Sequence, residues 1–296
     1  MVPELFRDPT FWTVALGSSL LGGVAGALGV FAVLRRESLI GDVMSHAALP
    51  GLVLAFLITG SRELPPLLLG AALSAGIGAL LAVQIPRRSR IKPDAALGLV
   101  LSVFFGMGIV GLTVAQQRPT AAQAGLDRFL FGQAATMLRR DVAAIALIAL
   151  LVLTLLILLW KEWKLLAFDP VFAKACGLPV GALELLLAAL MVLTVAIGLP
   201  AVGVVLVSAL LVAPAAAARQ WTDRLERMVV LAGGFGALSG GLGTLMSAEI
   251  GRLPTGPLIV LWACGIALLS LLIAPRRGLL RRWYLHRRKS HARPAG

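Results

Sequence analysis

The chain has 296 residues, of which 59% are hydrophobic and only 14% charged, with a formal net charge of +13 and a mean hydropathy of +0.93. A soluble domain carries about 25% charged residues, so these proportions exclude a surface solvated by water alone. The positive charge sits at the ends of apolar runs and in the C-terminal tail, not along one amphipathic face, which argues against a nucleic-acid groove and for topology determinants and lipid-headgroup contacts.

Apolar runs of about 20 residues are long enough to cross about 30 Å of hydrocarbon. Between the charge clusters there are nine such runs, at about 11–34, 38–60, 64–85, 95–115, 142–160, 179–198, 200–218, 229–248 and 256–275. The boundary at Leu199-Pro200 is soft, because proline can kink a helix instead of ending it. The expectation is an all-α, polytopic membrane protein with eight to nine transmembrane helices. The first run is 24 residues long and has no basic segment before it, so it reads as an uncleaved span and not as a signal peptide. The longest polar gap, 116–141, has no room for a soluble domain. Residues 1–275 are therefore expected to form a single transmembrane domain and 276–296 a basic tail. Cys176 and Cys264 fit neither a disulfide framework nor a CxxC metal site.

The Lys/Arg bias sets the orientation. The tail RRGLLRRWYLHRRKSHARPAG is expected in the cytoplasm, together with PRRSRIKPD (86–94), KEWKLLAFDPVFAKACG (161–177) and RQWTDRLER (219–227), leaving the N-terminus outside. Arg118, Arg128, Arg139 and Arg140 fall on the outer side against this rule. The apolar patch FLFGQAATM (129–137) among them reads as a half-inserted or re-entrant piece.

The second run opens with GDVMSHAALPG (41–51), which holds an aspartate and the only histidine outside the tail. Residues i and i+4 differ by about 40° around a helix, so Asp42 and His46 share a face one turn apart, with Ser38 and Pro50 a turn to either side. An aspartate inside a span costs roughly 2.5–3.5 kcal/mol on insertion scales, and a cation, a basic partner or water must offset it. Carboxylate and imidazole suit Zn²⁺, Mn²⁺ or Fe²⁺. Two ligands are too few for a firm site, but duplicating the face across a two-fold axis would give a cation site on the axis of a dimer. The blander reading is that Asp42, six residues after Arg36, reaches the cytoplasmic interface and pairs there, with His46 as a packing donor. Spacing alone leaves both open.

The longer stretch LRRESLIGDVMSHAALPG (34–51) resembles the signature of the zinc/manganese/iron ABC-transporter permease family. LLAFDPVFAKACGLP (165–179), LPAVGVVLVSALLVAPAAAA (199–218) and RLPTGPLIVL (252–261) are similar to its cytoplasmic loop and late spans. The resemblance covers nearly the whole chain. It implies the channel-forming subunit of a bacterial metal importer in the cytoplasmic membrane, paired with a second copy or a paralogue. Cytoplasmic ATPase subunits would drive it and an extracytoplasmic metal-binding protein would supply it. It also implies metal passage at Asp42 and His46. The metal would be substrate, and no cofactor is expected.

In AFDPVFAKACG, Asp169 suits an N-cap, Pro170 the first helical position and Gly177 the C′ stop, leaving two helical turns over 170–176. A short capped helix between two spans is a rigid lever. By the resemblance it is the coupling helix, with Phe168, Asp169, Pro170, Phe172, Ala173 and Gly177 as the set that meets the ATPase, Val171 adding apolar contact and Lys174 facing acidic groups. Otherwise the phenylalanines lie in the headgroup region.

Gly236 and Gly240 form a GxxxG spacing, with Gly233 and Ala237 beside it, and read as close helix packing within the subunit or across a dimer. Glu184 is expected to snorkel to the surface, or else to serve as a second pathway residue. Glu249 and Arg252 occupy an external loop, which docks a binding protein or is simply solvated. His286 and His291 lie among eight cationic residues of the tail, which favours anionic lipid over metal. No G-x-x-x-x-G-K-[ST] occurs, so ATP hydrolysis is expected on another polypeptide. The competing function classes are a self-sufficient secondary transporter or channel using an Asp42–His46 relay, and a membrane metalloenzyme, for which the ligand set is too small. Zinc or manganese leads as the cargo, with iron behind.

Overall fold

The computed structural model describes residues 8–35, 37, 39–60, 63–117, 132, 134, 137–250, 253–275 and 278. Among these the elements are all helices: α1 Pro9–Leu34, α2 Ile40–Thr59, α3 Leu64–Arg88, α4 Pro93–Gln116, α5 Arg139–Leu158, α6 Trp160–Phe168, α7 Pro170–Ala175, α8 Val180–Val202, α9 Val204–Trp221, α10 Leu225–Ile250 and α11 Thr255–Ile273. Eight of them (α1–α5, α8, α10, α11) are long and apolar enough to cross a membrane, and α9 is a shorter apolar helix. The chain is an all-α polytopic membrane protein.

Two expectations shift. The break placed at Leu199-Pro200 falls instead at Gly203: α8 continues through Pro200 to Val202, and Gly203 turns the chain with φ +94°. Glycine adopts that left-handed conformation without the Cβ clash that any other residue meets. The segment KEWKLLAF is not a loop but α6. Trp163 and Leu166, three residues apart, are buried. The Trp163 indole N–H donates to the Leu155 carbonyl at 3.1 Å, so a buried ring has its polar group satisfied and fastens α6 to α5.

The basic segments meet at one end of the bundle. Arg87, at the end of α3, pairs with Glu184 near the start of α8, and Lys164 of α6 lies 3.5 Å from Glu226 at the start of α10. Arg139 and Arg140 begin α5 at the other end. Arg118, Arg128, Arg252, His286, His291 and almost all of the tail lie outside the described residues, as does the patch 129–137 except for Gly132, Ala134 and Met137.

Lipid tails are as apolar as the helices, so a membrane bundle is held by close packing and by hydrogen bonds between its helices. Here the seams are glycine. A Cβ on Gly236 would overlap the Gly22 carbonyl, one on Gly240 the Ser18 carbonyl, and one on Gly26 the Ala232 carbonyl. The GxxxG of α10 therefore packs against α1 within the subunit. A second seam joins α2 to α3 through Gly51 and Gly70, and Gly108 of α4 lies against Leu49 of α2. Gly234, on the same helix as Gly236, has open space where a Cβ would go. Gly236→Leu is expected to destabilise the protein by about 1–3 kcal/mol through overpacking, whereas Gly234→Ala should hold or slightly raise stability. Thermal unfolding in detergent distinguishes the two, and equal midpoints would remove the seam from the account.

Candidate functional site

The start of α2 is recessed in the bundle. A Cβ on Gly29 of α1 would overlap the Leu211 carbonyl, and one on Gly41 of α2 would come within 2.9 Å of the Leu211 side chain. Leu211 stands ten residues before Trp221, the end of α9, which is about 15 Å along the axis. The turn joining α1 to α2 thus ends short of α9. Arg219, in the last turn of α9, reaches back to donate to the Val33 carbonyl at 3.2 Å, tying the end of α9 to the last turn of α1.

Asp42 lies in the first turn of α2, where the positive end of the helix favours an anion. Its Oδ1 is 3.4 Å from His46 Nε2, with side-chain exposures of 35% for Asp42 and 13% for His46. The Ser208 side chain of α9 reaches the same carboxylate. The His46 ring meets Phe105 of α4 edge-on, centroids 4.7 Å apart, and its Nδ1 is buried without a hydrogen-bond partner among the described residues. No group of three His, Cys, Asp or Glu able to hold a metal occurs among those residues. The chain therefore presents one carboxylate and one imidazole on a face left partly open between α4 and α9. Ser38 and Arg36, the neighbours considered from sequence, lie outside the described residues.

The segment 168–178 folds by local rules. The Asp169 carboxylate accepts from the Phe172 N–H at 2.9 Å, and Pro170 fills the first helical position. At the other end the Gly177 N–H donates to the Lys174 carbonyl and the Leu178 N–H to the Ala173 carbonyl, both at 3.1 Å, with Gly177 at φ +82°. That is a Schellman stop. Ala173 is fully buried, while Phe168, Val171 and Phe172 are exposed, Val171 at 79%. An apolar tip on a helix closed at both ends protrudes from the basic end of the bundle.

Glu184 neither snorkels nor stands alone. Its Oε1 accepts from Arg35 Nη2 at 2.8 Å and its Oε2 pairs with Arg87, while Arg35 also reaches Glu37 at 3.2 Å. Side-chain exposure is 14% for Arg35 and 15% for Glu184. Burial opposes the charge on Arg35, but the hydrogen bonds and charges of Glu37 and Glu184 offset that and raise its pKa above the ordinary arginine value.

A family model described as the ABC 3 transport family matches residues 7–274. The chain belongs to that family. It is 50% identical over 93% of its length to the manganese transport system membrane protein MntC of Bacillus subtilis, but covers only 63% of that relative's length. Over 97% of its length it is 48% identical to the zinc transport system membrane protein TroC of Treponema pallidum, covering 96% of it. The solved structure titled PsaBC from Streptococcus pneumoniae in complex with Fab matches with a TM-score of 0.82 at 30% identity, over 96% of this chain and 100% of that one. The family is the one that LRRESLIGDVMSHAALPG resembles.

Within this ABC 3 transport protein, the predicted pair Asp42 and His46 is brought together, and of the predicted set Asp169, Pro170, Phe172, Ala173 and Gly177 form one capped element, while Phe168 ends the preceding helix α6. Sequence reasoning missed Ser208 as a neighbour of Asp42, and Arg35 and Arg87 as the partners of Glu184. The only available signal for them was that a glutamate in an apolar run requires a cation at its own depth. Gly177→Val would force a β-branched residue to positive φ at about 1–2 kcal/mol, and Asp169→Ala would remove a cap worth about 1 kcal/mol. Amide hydrogen exchange over 170–178 should accelerate in both variants while α8 stays protected. Unchanged exchange would mean that packing, not capping, holds α7.

Proposed function

We propose that this protein is the membrane-spanning permease of an ATP-binding-cassette importer for a divalent transition metal, manganese or zinc ahead of iron. The observation that carries the reading is the Asp42–His46 pair. Two ligand atoms 3.4 Å apart subtend a near-tetrahedral angle at a cation about 2.0–2.1 Å from each. The pair sits at the depth of Leu211, on a partly open face. Carboxylate plus imidazole suits Mn²⁺, Zn²⁺ and Fe²⁺ alike. A second copy of the chain, or a paralogue, across a two-fold axis would complete the coordination. A site shared between two chains and completed only transiently holds a cation without trapping it, as passage requires.

On this reading the basic end of the bundle faces the cytoplasm, the C-terminus included, which the bias in Lys and Arg supports. The apolar tip formed by Val171 and Phe172 of α7 with Phe168 at the end of α6 docks on a separate ATPase subunit, and an extracytoplasmic metal-binding protein delivers the cargo at the opposite end. Membership of an ABC transport family disfavours the self-sufficient relay.

The decisive measurement is uptake of radiolabelled zinc and manganese by cells carrying the complete transport system. Asp42→Ala and His46→Ala should each lower uptake by at least about tenfold, equivalent to about 1.4 kcal/mol, at matched membrane levels and with the ATPase still co-purifying. Survival of uptake in both variants would make the pair structural. Phe172→Asp should instead abolish ATPase co-purification or its stimulation. If the motor stays bound and stimulated, α7 is not the coupling element.

A further inference from the structure

We propose that Glu184 is a positioning residue through which movement of α7 reaches Asp42; this rests on the reading of α7 as the element that meets the ATPase. A continuous series of hydrogen bonds and ion pairs joins the two. The Leu178 N–H donates to the Ala173 carbonyl at 3.1 Å, bonding α7 to the approach of α8. Glu184 stands in the second turn of α8. Its carboxylate grips Arg35 at the α1–α2 turn and Arg87 at the end of α3. Arg35 pairs with Glu37, and the Glu37 carbonyl accepts from the Ile40 N–H at 2.9 Å, in the turn of α2 that carries Asp42. Displacement of α7 thus pulls on the α2 start through one carboxylate held by two cations.

Two features fit a clasp that exchanges partners better than a static brace. A cavity of about 150 Å³ lies at the clasp, lined by Arg35, Glu37, Ile40, Arg87, Leu97 and Glu184 among others, and gives these side chains room to rearrange. Arg35 Nη1 is buried without a partner among the described residues, so the guanidinium has an N–H free to take another acceptor. Buried ion pairs are poor sources of stability relative to apolar packing of the same shape, and their geometry-dependent hold suits a two-state element.

The test is the number of metal ions transported per ATP hydrolysed by the complete transporter in proteoliposomes. Glu184→Gln keeps the shape and removes the charge. It should leave the ATPase bound and hydrolysing within about twofold of wild type while transport per ATP falls at least about tenfold, within the range of coupling between linked sites. Glu184→Asp, which keeps the charge, should recover part of the ratio. Arg87→Ala removes the exposed arm alone and should shift the ratio in the same direction by less. An unchanged ratio in Glu184→Gln, or uptake and hydrolysis falling in proportion, overturns the proposal. If the Glu184→Gln complex does not assemble, Arg87→Ala decides, with an unchanged ratio overturning it. A failure of the α7 reading is recognised separately, by a Phe172→Asp complex that couples normally.

Discussion

The structure depends on how closely α1 approaches its neighbours. In hydrocarbon no hydrophobic force separates helix from solvent, so contact between backbones supplies much of the attraction. That contact is available only where the Cβ is missing or small. Gly22, Gly26 and Gly29 on α1 meet the carbonyls of Gly236, Ala232 and Leu211 in turn. This row fixes both the lateral position of α1 and its height. A slide of one residue along α10 would set side chains against backbone. The height of α1 in turn sets the level of the turn that follows it.

Everything polar about the site descends from that level. With the α1–α2 turn ending short of α9, the side chain of Arg35 is only 14% exposed and that of Glu37 30%. Charge withdrawn from water must be paired, and besides Glu37 a second carboxylate pairs with Arg35 from α8, 149 residues along the chain. The same recession carries Asp42 to the depth of Leu211, where the first turn of α2, His46 and Ser208 are its polar surroundings. The glycines of α1 therefore determine whether that aspartate is an interfacial residue or an intramembrane one.

This explains what could be read from the sequence. Spans are legible because length and apolarity suffice, and α7 is legible because Asp169, Pro170 and Gly177 act on groups within a few residues of themselves. The pairing of Asp42 with His46 follows from helical periodicity alone. Depth does not, because it depends on which carbonyl Gly29 meets, and neither Leu211 nor its register is marked in the sequence. For the same reason Glu184 invited a snorkelling interpretation: its two partners come from the ends of α1 and α3, and only the assembled bundle brings them within reach. The displaced break at Gly203 is a milder case. Pro200 is the more conspicuous residue, but α8 runs on through it to Val202, and the reversal needs the φ that glycine supplies.

The contrast between α7 and its attachment bears on how such a protein could move. Six residues do not form a stable helix in isolation, since nucleation is unfavourable over so short a length. Capped at both ends by side-chain and backbone hydrogen bonds, α7 has few ways to deform short of unfolding and so moves as one body. The link from α8 to the α1–α2 turn is of the opposite kind. It runs through long side chains whose charges accept several geometries and which a neighbouring cavity leaves room to turn. A lever needs both properties: stiffness within itself, and a joint that yields at lower cost than the lever does. On the proposed reading, the joint lies at Glu184 and the stiffness in the caps of α7. The glycine seam keeps α1 from following, so the displacement is delivered to the first turn of α2.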